Sequence, residues 1–165
     1  MKYNPLIHHR KSIRLQNYDY SQAGAYFITI CTQHRQHFLG EIIQNEMRLN
    51  EAGTMILQQW ETLPQRFSSL QLDAFVIMPN HIHGILVLDG HSNKTLADIV
   101  GAFKSITTNE YIKGVKQYHW QSFDRIFWQR NYYEHIIRNE QALNQIREYI
   151  VYNPISWAQD ENNVM

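Results

Sequence analysis

Two histidines one residue apart, His81-Ile82-His83, are the sharpest chemical feature of the sequence. In a strand, side chains at i and i+2 leave the same face, so both imidazoles project together with Ile82 behind them. Two coaligned imidazoles make a good half-site for a divalent cation. Candidates for the other half lie near the C-terminus. Tyr149 and Asn153 are spaced i, i+4 and share one face of a helix. Glu148 sits about 100° round that helix. If the shared face lies against the histidines, Asn153 offers a carbonyl oxygen as a third hard ligand. Coordination positions then stay open for a phosphate oxygen, and Tyr149 offers a phenol to attack phosphorus. The same spacing also fits a half-buried aromatic and a helix cap before Pro154. Tyr132, Tyr133 and Tyr152 are nearby competitors for the nucleophile. His135, beside Ile136 and Ile137, reads as a structural histidine.

The elements that must position these groups follow from periodicity. Ala25–Thr32 is β-branched and aromatic and predicts a buried strand. Phe38–Leu49 predicts a hairpin with Asn45-Glu46 as its turn. Asn50 predicts an N-cap for a helix over Glu51–Leu63, ended by Pro64. Gln71–Met78 and His81–Leu88 predict two strands around a Pro79-Asn80 turn, with Asp89-Gly90 closing the second. Leu96, Ile99, Val100, Phe103, Ile106 and Tyr111 predict a helix over Thr95–Lys113, ended near Gly114. The aromatic stretch Val115–Arg130 predicts an edge strand around Ser122–Trp128. Leu143, Ile146 and Ile150 predict a helix over Glu140–Tyr152, ended by Asn153-Pro154. This order implies an α+β, ferredoxin-like sandwich, an antiparallel sheet with helices packed mainly on one face.

Composition narrows the function classes. At 165 residues the expectation is one catalytic domain over 21–155, an extended basic arm over 1–20, and a short polar tail over 156–165. One cysteine, Cys31, excludes an internal disulfide framework and a multi-cysteine zinc site; within its apolar strand it reads as core. No run of about 18 apolar residues is present, so no membrane span is expected. The N-terminus lacks the apolar core of a signal peptide, which makes the cytoplasm the default compartment. Formal charge is zero, with 15 basic and 15 acidic residues, whereas nucleic-acid binders are usually basic. The charge is unevenly spread, however. Residues 1–40 carry five basic and one acidic residue, and residues 91–138 carry seven and four. Two such segments can meet to make a phosphate-facing surface.

The His81-Ile82-His83 triplet resembles the HUH motif of the single-tyrosine transposases, in a setting of Met78-Pro79-Asn80 before and Gly84-Ile85-Leu86 after. The stretches Trp128–Asn139 and Tyr149–Pro154 resemble the REP-associated tyrosine transposases, the insertion-sequence-200-like branch. Arg14-Leu15, Tyr18-Asp19-Tyr20 and Gly24 to Thr29 are similar to their N-terminal opening. The likeness runs over about residues 10–155. It implies a ferredoxin-like core that binds single-stranded, hairpin-forming DNA and cuts it through a 5′-phosphotyrosine, leaving a free 3′-OH. It also implies Mg²⁺ or Mn²⁺ held by His81, His83 and Asn153, with Tyr149 as the nucleophile ahead of Tyr133. Monomer and homodimer both stay open.

Phosphate contacts are expected from Arg10, Lys11 and Arg14 in the arm and from Lys104, Arg125, Arg130 and Arg138. Trp120, Phe127 and Trp128 can stack on bases, but core packing is the expectation for each. The alternatives are a module of the same fold that binds hairpins without cutting, and a phosphohydrolase that uses water. The second would need acidic ligands, and Asp73 and Asp89, the nearest in sequence, are not obvious ones.

Overall fold

A computed structural model describes residues 23–163 of the chain. Strand β1 (Gly24–Cys31) is followed by a small hairpin of β2 (Gly40–Ile43) and β3 (Glu46–Leu49). Helices α1 (Glu51–Glu61) and α2 (Leu63–Arg66) lead to β4 (Leu70–Met78) and β5 (His81–Leu88). Helix α3 (Leu96–Tyr118), strand β6 (Tyr133–Ile137) and helix α4 (Glu140–Tyr152) complete the order. The main sheet has four strands in the order β4-β5-β1-β6, every neighbouring pair antiparallel. β1-α1-β4 and β5-α3-β6 are interleaved crossovers, which is the ferredoxin-like arrangement the sequence implied.

Side-chain alternation sorts the sheet into two faces. Tyr26, Ile28, Ile30, Ile82, Leu86 and Leu88 pack beneath α1 and α3 with Trp60, Phe103, Phe127 and Trp128. Phe27, Ile85 and Ile137 point the other way and meet Ile146 and Ile150 of α4. Two of the three long helices thus cover one face, and α4 covers the other. The expected Asn50 cap forms, with Asn50 Oδ1 accepting from Gly53 N at 2.8 Å; Asn139 Oδ1 caps α4 likewise, accepting from Ala142 N at 2.7 Å.

Four expectations are corrected. The hairpin turn is Gln44-Asn45, both at positive φ, rather than Asn45-Glu46. Helix α3 runs past Gly114 to Tyr118, because the missing side chain there makes room for the Trp120 ring. The edge strand is Tyr133–Ile137, not Ser122–Trp128. Phe127 and Trp128 are buried in the core, and this stretch contributes only the single bridge Thr32–Trp128 among the described residues. Its aromatics are spent on packing, whereas 133–137 alternates cleanly against β1. Pro64 does not simply stop α1; it sits in the first turn of α2, where its missing N–H costs nothing.

Candidate functional site

His81 and His83 open β5 directly after a two-residue turn, Pro79-Asn80, that joins it to β4. That turn is pinned by the chain leaving β1. Thr32 donates from both its N–H and its hydroxyl to Asn80 O, at 2.9 and 3.0 Å, and Leu39 N donates to Pro79 O at 3.1 Å. Across the strands, His81 faces Cys31 and His83 faces Thr29. Both imidazoles lie on the α4 side of the sheet and both are fully buried.

Each ring is held at Nδ1. Asn80 Nδ2 donates to Arg35 O at 3.0 Å and to Asn162 O at 2.6 Å, which leaves Asn80 Oδ1 facing His81 Nδ1 at 2.8 Å. This network assigns the proton of His81 to Nδ1 and bares the lone pair on Nε2. His83 Nδ1 lies 2.7 Å from Thr29 Oγ1, a hydroxyl that can either donate or accept. The two Nε2 atoms stand 3.1 Å apart. Adjacent ligands about an octahedral ion at about 2.1 Å are about 3.0 Å apart, so the pair is spaced for one small cation. Burial drives His81 down to about 3, and burial followed by the neighbouring His81 holds His83 well below the usual histidine range. Both rings are therefore neutral, the form that ligates metal.

Helix α4 brings up the remaining groups. The Tyr149 ring stands edge-on to His83, with centroids 5.3 Å apart, and edge-on to Phe27 at 6.3 Å. Burial pushes its phenol well above the usual tyrosine value, while the Asn153 side chain acts in the opposite direction. Asn153 caps α4 and is buried. Its Nδ2 reaches back to Tyr149 O at 3.4 Å, and its Oδ1 is buried without a well-directed hydrogen bond. The same side chain is near enough to His81 to favour its protonated form. Asn153 is thus both the cap the spacing allowed and an orphaned oxygen next to the imidazoles. Among the described residues no three His, Cys, Asp or Glu side chains converge as a metal cluster. Two nitrogen lone pairs and an unpartnered amide oxygen nonetheless fit a hard or borderline divalent cation.

A β-bulge in β4 helps to fix α4. The register slips between Leu72 and Phe75, and Asp73 there takes Arg147 of α4 in a two-pronged ion pair at 2.8 and 2.6 Å. The Arg147 guanidinium holds the Asp73 carboxyl below its usual range. Asp73 is a strut for α4 rather than a ligand, and Asp89 serves its own turn by accepting from His91 N at 2.8 Å.

The competing tyrosines are separated by the fold. Tyr132 packs on the opposite face with the α1/α3 core, and Tyr152 is 48% exposed. Tyr133 lies on the α4 face against Phe27, with burial pushing its phenol up to about 12. Among the expected phosphate contacts, Arg130 and Arg138 are exposed, whereas Lys104 donates to Gln129 O at 2.8 Å and Arg130 O at 3.0 Å. Arg10, Lys11 and Arg14 lie outside the described residues. Trp128 spends its indole N–H on Thr107 Oγ1 at 2.9 Å, and Trp120 spends its own on Glu51 at 2.9 Å. Cys31 is half-buried at the rim of the site, not in the main core, and burial pushes its thiol up to about 11.

The segment expected as a polar tail returns over the site. Trp157 leans on His81 with centroids 6.1 Å apart, and Asp160 Oδ2 stands 3.9 Å from His81 Nε2. Asn80, Thr29 and Asp160 carried no local signal as site residues; each enters through a pairing that only the tertiary fold creates.

The sequence matches the family described as "Transposase IS200 like" over residues 20–153. The chain belongs to that family. A relative in Haemophilus influenzae, a predicted REP-associated tyrosine transposase, is 30% identical over 86% of this chain and 77% of its own length. An uncharacterised protein of the same organism is 43% identical over 97% of this chain and 96% of its own. A REP-associated tyrosine transposase solved with a REP hairpin superposes with a TM-score of 0.64 over 87% of this chain and 73% of that one, at 19% identity. A predicted transposase of Deinococcus radiodurans superposes at 0.52 over 84% and 95%, at 20% identity. At such identities these two structures speak for the fold. Among the described residues of this family member, no helix is long and apolar enough to cross a membrane.

Proposed function

We propose that this IS200-like transposase cuts and rejoins single-stranded, hairpin-bearing DNA, with Tyr149 as nucleophile and His81, His83 and Asn153 as the holders of Mg²⁺ or Mn²⁺. The observation that carries this reading is the Tyr149 ring standing edge-on to His83, beside two inward-facing Nε2 atoms and the orphaned Asn153 oxygen. Family membership and the hairpin-bound relative of the same fold support the substrate class.

Tyr149 Oη forms a bond to phosphorus, and the P–O3′ bond breaks. The phenol gives up its proton, and the departing 3′ oxygen takes one to become a free 3′-OH. The phosphotyrosine ester conserves the energy of the phosphodiester, so the reverse attack by a 3′-OH rejoins DNA without a nucleotide cofactor. A cation held by His81, His83 and Asn153 would supply screening of phosphate charge in the crowded transition state. Asn80 and Thr29 orient the two rings from behind. Asn153 favours the ionised phenol that burial opposes. Arg130, Arg138 and the arm residues Arg10, Lys11 and Arg14 supply phosphate contacts outside the site.

A non-cutting hairpin binder is the second reading. The observation that favours it is the complete burial of both imidazoles, with Trp157 from the segment after α4 leaning on His81. One assay separates the two. Hairpin-bearing single-stranded DNA is incubated with Mg²⁺ or Mn²⁺ and run on a denaturing protein gel. Cutting predicts a covalent protein–DNA band for the wild type and none for Tyr149→Phe. Hairpin binding with no band in either protein would establish the non-cutting module. Free products without any covalent species would establish water as the nucleophile.

A further inference from the structure

We propose that Arg35 grips the scissile phosphate, as a residue that contacts substrate beside the imidazole pair. This rests on the nuclease reading of the site. Arg35 lies in the connection that leaves β1 after Cys31, the residue paired across the sheet with His81. It was not singled out by motif or spacing.

Its backbone is unusual. His34 and Arg35 are consecutive non-glycine residues in the left-handed region, at φ 57° and 54°. That conformation costs free energy in L-residues and persists where the surroundings over-determine it. Here they do. Arg35 N donates to Thr32 O at 3.1 Å, and Arg35 O accepts from Asn80 Nδ2 at 3.0 Å. Asn80 is the residue whose Oδ1 orients His81 at 2.8 Å. Two hydrogen bonds therefore link the Arg35 main chain to a site imidazole, and the position of the one is set by the other.

The side chain, by contrast, is under-committed. Its recorded hydrogen bond is a long one, from a terminal guanidinium nitrogen to Glu161 O at 3.3 Å. Among the described residues no carboxylate lies within 4.0 Å of it. Its charge reaches the site, disfavouring a proton on His81 and favouring the thiolate of Cys31. Arg147 of α4, by contrast, is already spent on Asp73. A planar fork with one long hydrogen bond, on a backbone tied to His81 through Asn80, matches two non-bridging phosphate oxygens. The Glu161 carbonyl occupies one of the donor positions that a phosphate oxygen would take. Its guanidinium offsets the charge that builds on phosphorus.

The test compares wild type, Arg35→Ala and Arg35→Lys on two hairpin-bearing single-stranded DNAs. One carries an ordinary phosphodiester at the cut site, and the other an uncharged methylphosphonate. Hairpin affinity and melting temperature are measured alongside. The proposal predicts that Arg35→Ala slows covalent adduct formation on the phosphodiester by about 10²- to 10³-fold. Hairpin affinity should change less than threefold, about the scatter of a surface contact. On the methylphosphonate, the gap between Arg35→Ala and wild type should close to within about tenfold, because the charge that Arg35 offsets is gone. Arg35→Lys should fall between, keeping charge but losing the fork. It carries the comparison if the alanine variant melts early. An equal penalty on both DNAs, or none on either, overturns the role of Arg35 while leaving the nuclease intact. Wild type that cuts neither DNA overturns the reading of the site, and this proposal with it.

Discussion

On the α1/α3 face of the sheet, Trp60, Phe103, Phe127 and Trp128 are each 2% exposed or less, and Trp60 stacks on Phe75 at 4.3 Å with planes 9° apart. On the α4 face the buried apolar set is Phe27, Ile85, Ile137, Ile146 and Ile150, and two imidazoles take the places beyond Ile85 on the same strand. Ile82 and His83 are neighbours in β5, yet one joins a dense aromatic core and the other a polar pocket. The difference teaches a division of labour. Close packing on one face provides stability, so the other face can bury neutral histidines and an orphaned amide oxygen, which cost stability.

The division predicts effects of graded size. Trp60→Ala empties the dense face and should destabilise the fold by about 3–5 kcal/mol in chemical denaturation. A loss under about 1 kcal/mol would show that this face is not the source of stability. Acid should act on the other face. His81 and His83 are held neutral when folded, His81 down to about 3, whereas unfolded histidine titrates near 6.5. The unfolded state therefore binds more protons below pH 6.5, and stability falls as pH drops. His81 should cost about 2 kcal/mol at pH 5 relative to pH 7, and His83 acts in the same direction. Replacing His81 with Gln should flatten that dependence, and an unchanged slope would show that the ring titrates freely.

Two smaller effects concern how α4 is aimed. Arg147→Ala removes the strut to Asp73 without touching the pocket. Adduct formation should fall roughly tenfold or more through misplacement of Tyr149, with hairpin binding retained. Equal rates would mean that the apolar contacts of α4 suffice to aim it. Tyr152→Phe should leave adduct formation within about twofold of wild type, because its ring is 48% exposed whereas the Tyr149 ring stands against His83.

Much of this was legible in the sequence where periodicity carries the signal. The strand spacing of His81 and His83, the helix spacing of Tyr149 and Asn153, and the cap Asn50 are local patterns, and the structure brings the two histidines, Tyr149 and Asn153 together. The late strand was misassigned because Phe123, Phe127 and Trp128 have strand-like composition but pack as single anchors in the core. The bulge at Asp73 left no trace, since one extra residue in a strand changes no residue type. Asn80, Thr29, Asp160 and Arg35 were out of reach for a different reason. Each acts through a partner distant in sequence, so only closure of β1 on β5 and the return of residues 156–163 give them a place.

The central claim is that α4 presents Tyr149, and no other tyrosine, to phosphorus. The measurement is mass spectrometry of the covalent adduct formed on hairpin-bearing DNA with Mg²⁺, after nuclease trimming and trypsin digestion. Cleavage after Arg147 releases a C-terminal peptide with Tyr149 and Tyr152, while Tyr132 and Tyr133 fall in the peptide that ends at Arg138. The expected result is the nucleotide remnant on the C-terminal peptide, with fragment ions that assign it to Tyr149. A remnant on Tyr133 or Tyr152 would contradict it.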